Sequence, residues 1–384
     1  MFIVILPIIF SFIFLIFSYL WIDHGLVMFL ANSHPVIGNL FEVIKFTNEN
    51  RIILAKVYLA LLTILFLFQF ALFIPRIYEK IKIKTFFLVA GITSFIYAFS
   101  FPFLSRDIFS YYFYAKMALF YKVNPFIIAP IDFLEKDLFV GLIHNIGSPY
   151  LYGRGFLLYT MLLMVITTFN KVVTYFILYR LLNWIYFFLG GLMIYKLVND
   201  KRIFAIWFFN PYILIEWLMN GHNDTMMAFF FIVAVYFFYR KKWIRAGISY
   251  LFSILTKFVS ILALPVIFLN NKWREIYFKF AGLLLPILLH LQHRTIEPWY
   301  YLWSFMFLPF ARLKTLSWVM FSLIGLISAV NYYGFIESSG WGMSDMIPYS
   351  LEIMCILIAT IFLNEYREFI IHKVAETRRY LRSK

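Results

Sequence analysis

Pro102–Phe126 reads PFLSRDIFSYYFYAKMALFYKVNPF. The apolar run Thr85–Phe101 leads into it, and charge appears at once in Arg106 and Asp107. A helix-compatible segment rich in Tyr and Phe follows, carrying Lys116 and Lys122 and stopped by Asn124-Pro125. Rings mixed with ammonium groups suit a helix lying in the headgroup layer of a bilayer, rings inward and cations toward phosphates. An acid held where a span meets water is costly to keep without a use. Asp107 is therefore the first candidate for chemistry, and the rest of the chain is read outward from it.

The surrounding composition fixes the class. Of 384 residues 63% are hydrophobic and only 14% charged, with a mean hydropathy of +0.83. Soluble domains are about 45–50% apolar and about 25% charged, so this chain reads as an all-α polytopic membrane protein. The net charge of +15 would suggest nucleic acid in a soluble domain. Here the basic residues cluster in short loops between apolar runs, the positive-inside pattern, and nucleic acid is discounted. The one cysteine, Cys355, lies in an apolar run and has no partner for a disulfide within the chain. The N-terminal run lacks a basic start and a small-residue cleavage site, so it reads as a retained span.

Loop charge orients the spans. Phe2–Trp21 leads to a slightly acidic external segment, Ile52–Ile74 returns to the basic loop Arg76–Lys84, and Thr85–Phe101 places Asp107 outside. A long external loop runs to Gly155, with helices expected over Asp107–Tyr121 and around Phe133–His144. Phe156–Phe169 is about 14 residues long where about 20 are needed, and reads as a re-entrant helix. Val173–Val198 then runs inward and Phe204–Met219 outward, so the turn Asn220-Gly221-His222-Asn223-Asp224 is external and shares the side of Asp107. Ala246–Asn270 has basic residues at both ends, Lys257 in its middle and Pro265 beyond; two short helices meeting near Lys257 satisfy this pattern. Broken helices at membrane depth are tolerated where they line a cavity. Phe280–Gln292, Tyr301–Ala311, Thr315–Val330 and Ile347–Leu363 complete the crossings, and the basic tail is cytoplasmic. There is no internal repeat or linker. Residues 1–384 form one domain, with two extra N-terminal spans in 1–84, a core in 85–301 and C-terminal spans with the tail in 302–384.

On the external face a few acids stand among many cations: Asp107, Asp224 and Glu297 with Arg106, Lys116, Lys122, Arg154, His222, His293 and Arg294. A carboxylate can take the proton of an attacking hydroxyl, while Arg and Lys neutralise a phosphate leaving group. Plainer readings stand beside these. Arg106-Asp107 is equally well an ion pair anchoring a span, Lys116 and Lys122 suit snorkelling, and His222 suits a turn that caps the next helix through Asn223 or Asp224. The Tyr and Phe stripe at 109–114 reads as lipid-facing. Lys257 is functional by default, being a lysine at membrane depth. No His/Cys cluster has metal-ligand spacing.

The words Ser105-Arg106-Asp107, Asn124-Pro125-Phe126, Ser148-Pro149-Tyr150, Asn210-Pro211, Gly221-His222-Asn223-Asp224, Ala246-Gly247…Lys257…Pro265 and Pro298-Trp299-Tyr300 occur in that order. With them the chain resembles the C-type (GT-C) membrane glycosyltransferases, in particular the polyprenol-phosphate-mannose-dependent mannosyltransferases. The likeness covers Thr85–Tyr301. It implies a GT-C-like fold of about 11–13 transmembrane or re-entrant helices, most near the length a bilayer asks for, with a long first catalytic external loop. It also carries the catalytic acid of that loop over to Asp107 and a second acid, near the lipid phosphate, to Asp224; read together with the residues, Asp107 is the general base and Lys257, Arg154 and Arg294 hold the donor phosphate with Arg106 nearby. Asp224, Asn223 and His222 would orient the donor or a divalent ion. The implied partners are membrane lipid, a polyprenyl-phosphate sugar, and a lipid-linked or cell-envelope glycan acceptor, at the external face of the cytoplasmic membrane. No cofactor follows. Two features depart from the pattern: two spans precede the acid loop, and Ser148-Pro149-Tyr150 is followed by Leu151-Tyr152-Gly153-Arg154 in place of Gly-Pro. The rival from another class is a transporter of an anionic lipid-linked glycan, which would also need broken helices and a cation at membrane depth.

Overall fold

The computed structural model describes residues 2–21, 45–168, 171–292, 298–338 and 352–367. Among these the chain forms helices and connecting turns, with no strand. α1 (Phe2–Tyr19), α2 (Arg51–Ala71) and α3 (Ile83–Ala98) are the first three expected spans. α2, at 21 residues, rises about 32 Å at 1.5 Å per residue, enough for a hydrocarbon core of about 30 Å. α6 (Val172–Val198) and the run Thr315–Glu337 are also long and apolar enough to cross. The run Thr315–Glu337 contains α10 (Thr315–Val330) and most of α11 (Tyr332–Ser338). The protein is thus an all-α polytopic membrane protein. The remaining apolar helices are shorter, among them α5 (Arg154–Ile166), whose 13 residues rise only about 20 Å. The expected closing span Ile347–Leu363 lies partly outside the described residues, and the basic tail lies almost wholly outside them.

α4 (Asp107–Leu119) starts at the expected acid, but its setting differs from the expectation. Phe109, Ser110, Tyr111, Tyr112, Phe113 and Tyr114 are all buried in protein, and no ring stripe faces lipid. The loop after Asn124 folds over the helix through two 3₁₀ turns, Pro130–Phe133 and Leu138–Leu142, where one helix was expected. Phe139 packs on Phe109 and Tyr112, while α5 and α6 close the other side with Phe156 and Tyr175. Lys116 does not snorkel: its Nζ lies 2.5 Å from Asp137, which Tyr121 also bonds. A loop rich in aromatic residues takes this apolar surface out of water at about 25 cal/mol per Å², so its rings pack on α4 rather than face solvent.

Phe204–Met219, expected as one span, is interrupted. A π-helix over Phe204–Phe208 ends before Asn210, whose side chain caps a single turn at Pro211–Ile213, and a second π-helix covers Leu214–Met219. Proline at Pro211 removes a backbone donor and bars a continuous helix. The arm Pro211–Met219 then meets α7 (Asp224–Tyr239) at a bend of 110°. The Arg180 guanidinium of α6 steadies this break: its Nη1 donates to the carbonyls of Leu218 (3.0 Å) and Met219 (2.8 Å), and of Ala98 at the end of α3 (2.9 Å). Cations are favourable at such carbonyl-rich helix ends.

The other expected break is where the sequence placed it. α8 (Trp243–Thr256) stops at Lys257, which has extended backbone, and a 3₁₀ helix follows over Phe258–Phe268. α9 (Asn271–Gln292) includes the expected run Phe280–Gln292. The expected span Tyr301–Ala311 is instead three short pieces, Pro298–Trp303, Ser304–Phe307 and Leu308–Phe310, packed against α9 and the core. One apolar cluster joins α1, α2, α3 and α6 to the interrupted arm and to these pieces, and a second surrounds α4.

Candidate active site

Two acids open two helices. Asp107 begins α4 and Asp224 begins α7, each in a first turn where backbone N–H groups favour negative charge. They converge because the turn Asn220–Asn223 folds back against the start of α4. Gly221 makes that turn at φ +71°, a left-handed conformation that costs a side-chain-bearing residue energy. The Tyr179 hydroxyl donates to its carbonyl at 2.7 Å.

His222 does not cap α7. Its Nδ1 lies 3.1 Å from Asp107 Oδ2, and its Nε2 lies 3.2 Å from Oε2 of Glu216, a carboxylate in the second π-helix that is 0% exposed. The ring is 2% exposed and Asp107 26% exposed, so the chain of three groups runs from a sealed acid to one that solvent or substrate can reach. The Tyr111 hydroxyl donates to Asp107 Oδ2 at 3.2 Å and accepts from the Asn223 N–H at 3.2 Å, tying α4 to the turn. Tyr152 bonds Asp107 as well. Burial would raise the Asp107 pKa, but the hydrogen bond and charge of His222, the Tyr152 hydroxyl and the field of Lys257 hold it below its ordinary value. Burial would likewise drive His222 toward neutrality, yet Asp107 and Glu216 push its pKa up to about 10.

Asp224 belongs to a second group. Lys257 Nζ lies 3.0 Å and 3.2 Å from its two carboxylate oxygens, and the Trp303 indole N–H donates to Oδ1 at 2.5 Å. The same ammonium sits 4.9 Å from the Trp303 ring centroid, a cation–π distance. Asp224 is 1% exposed and Lys257 18% exposed. The break in α8 thus delivers a cation to the head of α7, and Trp299 lies against the His222 ring with centroids 5.5 Å apart.

The remaining sequence candidates divide. Arg154 opens α5, exposed, its guanidinium 5.7 Å from the Phe126 ring. Its neighbour Gly153 donates its N–H to the Thr256 carbonyl at 3.1 Å, so the long loop between α4 and α5 is seated on the residue before Lys257. A Cβ on Gly153 would fall 2.0 Å from the Leu255 carbonyl oxygen, which only glycine permits. Asn223 is 1% exposed, and its carboxamide makes no hydrogen bond among the described residues. Arg106 is half-buried beside Asp107. Arg294, with His293 and Glu297, lies outside the described residues. No group of three or more His, Cys, Asp or Glu among the described residues has the arrangement to hold a metal ion. The structure adds Glu216, Tyr111, Tyr152, Trp303 and Arg180 to the residues that sequence reasoning singled out. Glu216 and Arg180 had a usable signal, since each is an ionisable residue inside an apolar run.

Residues 22–271 match the family model described as alpha-(1->6)-mannopyranosyltransferase, N-terminal domain. No curated protein and no solved structure matches the chain.

Proposed function

The chain belongs to the alpha-(1->6)-mannopyranosyltransferase family, and from that premise we propose that it moves mannose from a polyprenyl-phosphate donor to a lipid-linked or cell-envelope glycan, at the external face of the cytoplasmic membrane, with Asp107 as general base. The transporter reading gives way to a transferase. In the proposed step an acceptor hydroxyl oxygen bonds to C1 of the donor sugar while its proton passes to the Asp107 carboxylate. The C1–oxygen bond to phosphate breaks, and polyprenyl phosphate leaves with the electron pair. One base opposite one leaving group inverts the anomeric carbon, as in inverting glycosidases. An α product then requires a β-linked donor.

The observation that carries this reading is Asp107 itself: 26% exposed, its Oδ2 loaded by His222 and Tyr111, and held below its ordinary pKa so that it stays ionised. Lys257 is the proposed cation for the departing phosphate, with Asp224 fixing its position and Arg154 next along the seated loop. Arg106 and Arg294 are proposed as further phosphate contacts. The unpartnered Asn223 carboxamide, beside His222, is proposed to bond sugar hydroxyls. Residues 1–384 are proposed to act as one catalytic membrane domain.

The test is Asp107→Asn, which keeps the shape and can still accept the His222 hydrogen bond. Loss of a general base costs about 10²–10⁴-fold in rate, while donor binding is expected to survive. Turnover of labelled polyprenyl-phosphate mannose, normalised to inserted protein, separates this from an anchoring role. Near-normal turnover would remove Asp107 from the mechanism.

A further inference from the structure

Glu216 is placed where a carboxylate is hard to keep. It is fully buried in an arm whose neighbours Ile215, Trp217 and Leu218 are apolar and buried too. A buried charge is tolerated when it is paired and hydrogen-bonded. Glu216 has His222 Nε2 at 3.2 Å and the Asn220 carboxamide donating to the same oxygen at 3.0 Å. Both imidazole nitrogens of His222 therefore face carboxylates. A neutral imidazole carries one N–H and one lone pair, and either neutral tautomer would turn a lone pair toward an anion. With hydrogen on both nitrogens the ring turns positive charge to both acids, hydrogen-bonded to Asp107 through Nδ1 and paired by charge with Glu216 at Nε2.

The geometry assigns Glu216 as a positioning residue of the transfer reaction: by setting its charge 3.2 Å from Nε2 it keeps His222 doubly protonated, so that Nδ1–H always points at Asp107 and the carboxylate enters each turnover ionised and fixed. Glu216 touches no substrate and acts through the ring. Remove its charge, and the tautomer with a bare Nδ1 becomes accessible, its lone pair facing Asp107. This rests on the proposed role of Asp107 as base.

Tyr58, Tyr212 and Tyr332 surround Glu216. Tyr111 and Tyr152 face Asp107, with Tyr179, Asp224 and Lys257 within electrostatic reach of the same helix start. Phenols ordinarily ionise at about 10, so none of these tyrosines is charged between acid and neutral pH, and His222, with its pKa pushed up to about 10, stays charged there.

The measurement is the pH dependence of kcat and KM for Glu216→Gln, which keeps the shape beside Nε2 without supplying charge. The acidic limb of kcat is expected to move up by about one pH unit or more, the size of shift a neighbouring opposite charge commands, with KM for both substrates within about twofold. Glu216→Asp is expected to retain the wild-type limb. In a His222→Gln background, adding Glu216→Gln is expected to change nothing, and this pair also serves if Glu216→Gln alone does not accumulate. An unmoved limb, or distinct limbs for His222→Gln and the double variant, overturns the assignment. Asp107→Asn run alongside keeps the two ideas apart. If it turns over normally, the base reading fails; if it is inactive while the Glu216→Gln limb stays put, only the role of Glu216 fails.

Discussion

Replacing Lys257 by methionine removes the ammonium paired, among the described residues, with the Asp224 carboxylate, which is 1% exposed. Two contacts of 3.0 Å and 3.2 Å are lost, and the methionine chain still fills much of the aliphatic space. Deleting one member of a buried pair costs about 3–5 kcal/mol, because the other charge stays behind without compensation. Here the remnant keeps the Trp303 N–H at 2.5 Å, and a hydrogen bond to a charged group is worth about 1.5–3 kcal/mol. The expected loss is therefore at the low end, about 3 kcal/mol. Denaturant unfolding in detergent reads this directly, followed by the burial of tryptophan. The orphan charge is what should hurt, so Lys257→Met with Asp224→Asn is expected to recover most of the loss. A double variant no more stable than Lys257→Met would refute this account of the pair. Donor binding per folded molecule is expected to fall in both variants, because neither offers an ammonium to phosphate.

Stability should also follow pH through His222. Its pKa is raised from 6.5 to about 10, so its contribution is complete below pH 6.5 and is lost as pH rises through 10. Unfolding midpoints of wild type are expected to decline over that window and those of His222→Gln to be flatter; parallel curves would count against a charged ring. The proposed sidedness predicts that cysteine at the exposed Leu151 reacts with an impermeant thiol reagent from outside, while cysteine at the exposed Ile244 in the basic loop does not. Equal labelling from one side would place the site and the Arg240–Arg245 loop together, against the proposal.

The features readable from sequence were those set by local chemistry. Asp107 after a proline-ended span, and Lys257 in an apolar stretch with basic residues at both ends, marked a helix start and a helix break at the residues where the structure has them. The convergence of Asp107 with the Gly221–Asp224 turn followed from placing both on one side. What escaped notice depended on contacts between distant parts. Hydropathy alone cannot tell lipid from protein as the neighbour of a Phe or Tyr, and so the burial of 109–114 under the following loop was not visible. Glu216 stood out as a carboxylate in an apolar run, but its pairing was hidden because its partner is six residues on, across a turn whose geometry no periodicity reports. The π-helices carry no compositional mark at all.

Those π-helices bear on how the gene can change length. A π turn is an α turn carrying one surplus residue, and well under 1% of residues adopt it. The arm before the bend holds two such segments, Phe204–Phe208 and Leu214–Met219. Deleting a single codon between 214 and 219 would relax the second into ordinary helix. Each residue accounts for about 100° of rotation, so Glu216 and the turn that carries His222 would swing to different faces of the arm. The segment is then less free to shorten than any surface loop, and in family members that lack the surplus residue the two carboxylates should not meet across one imidazole.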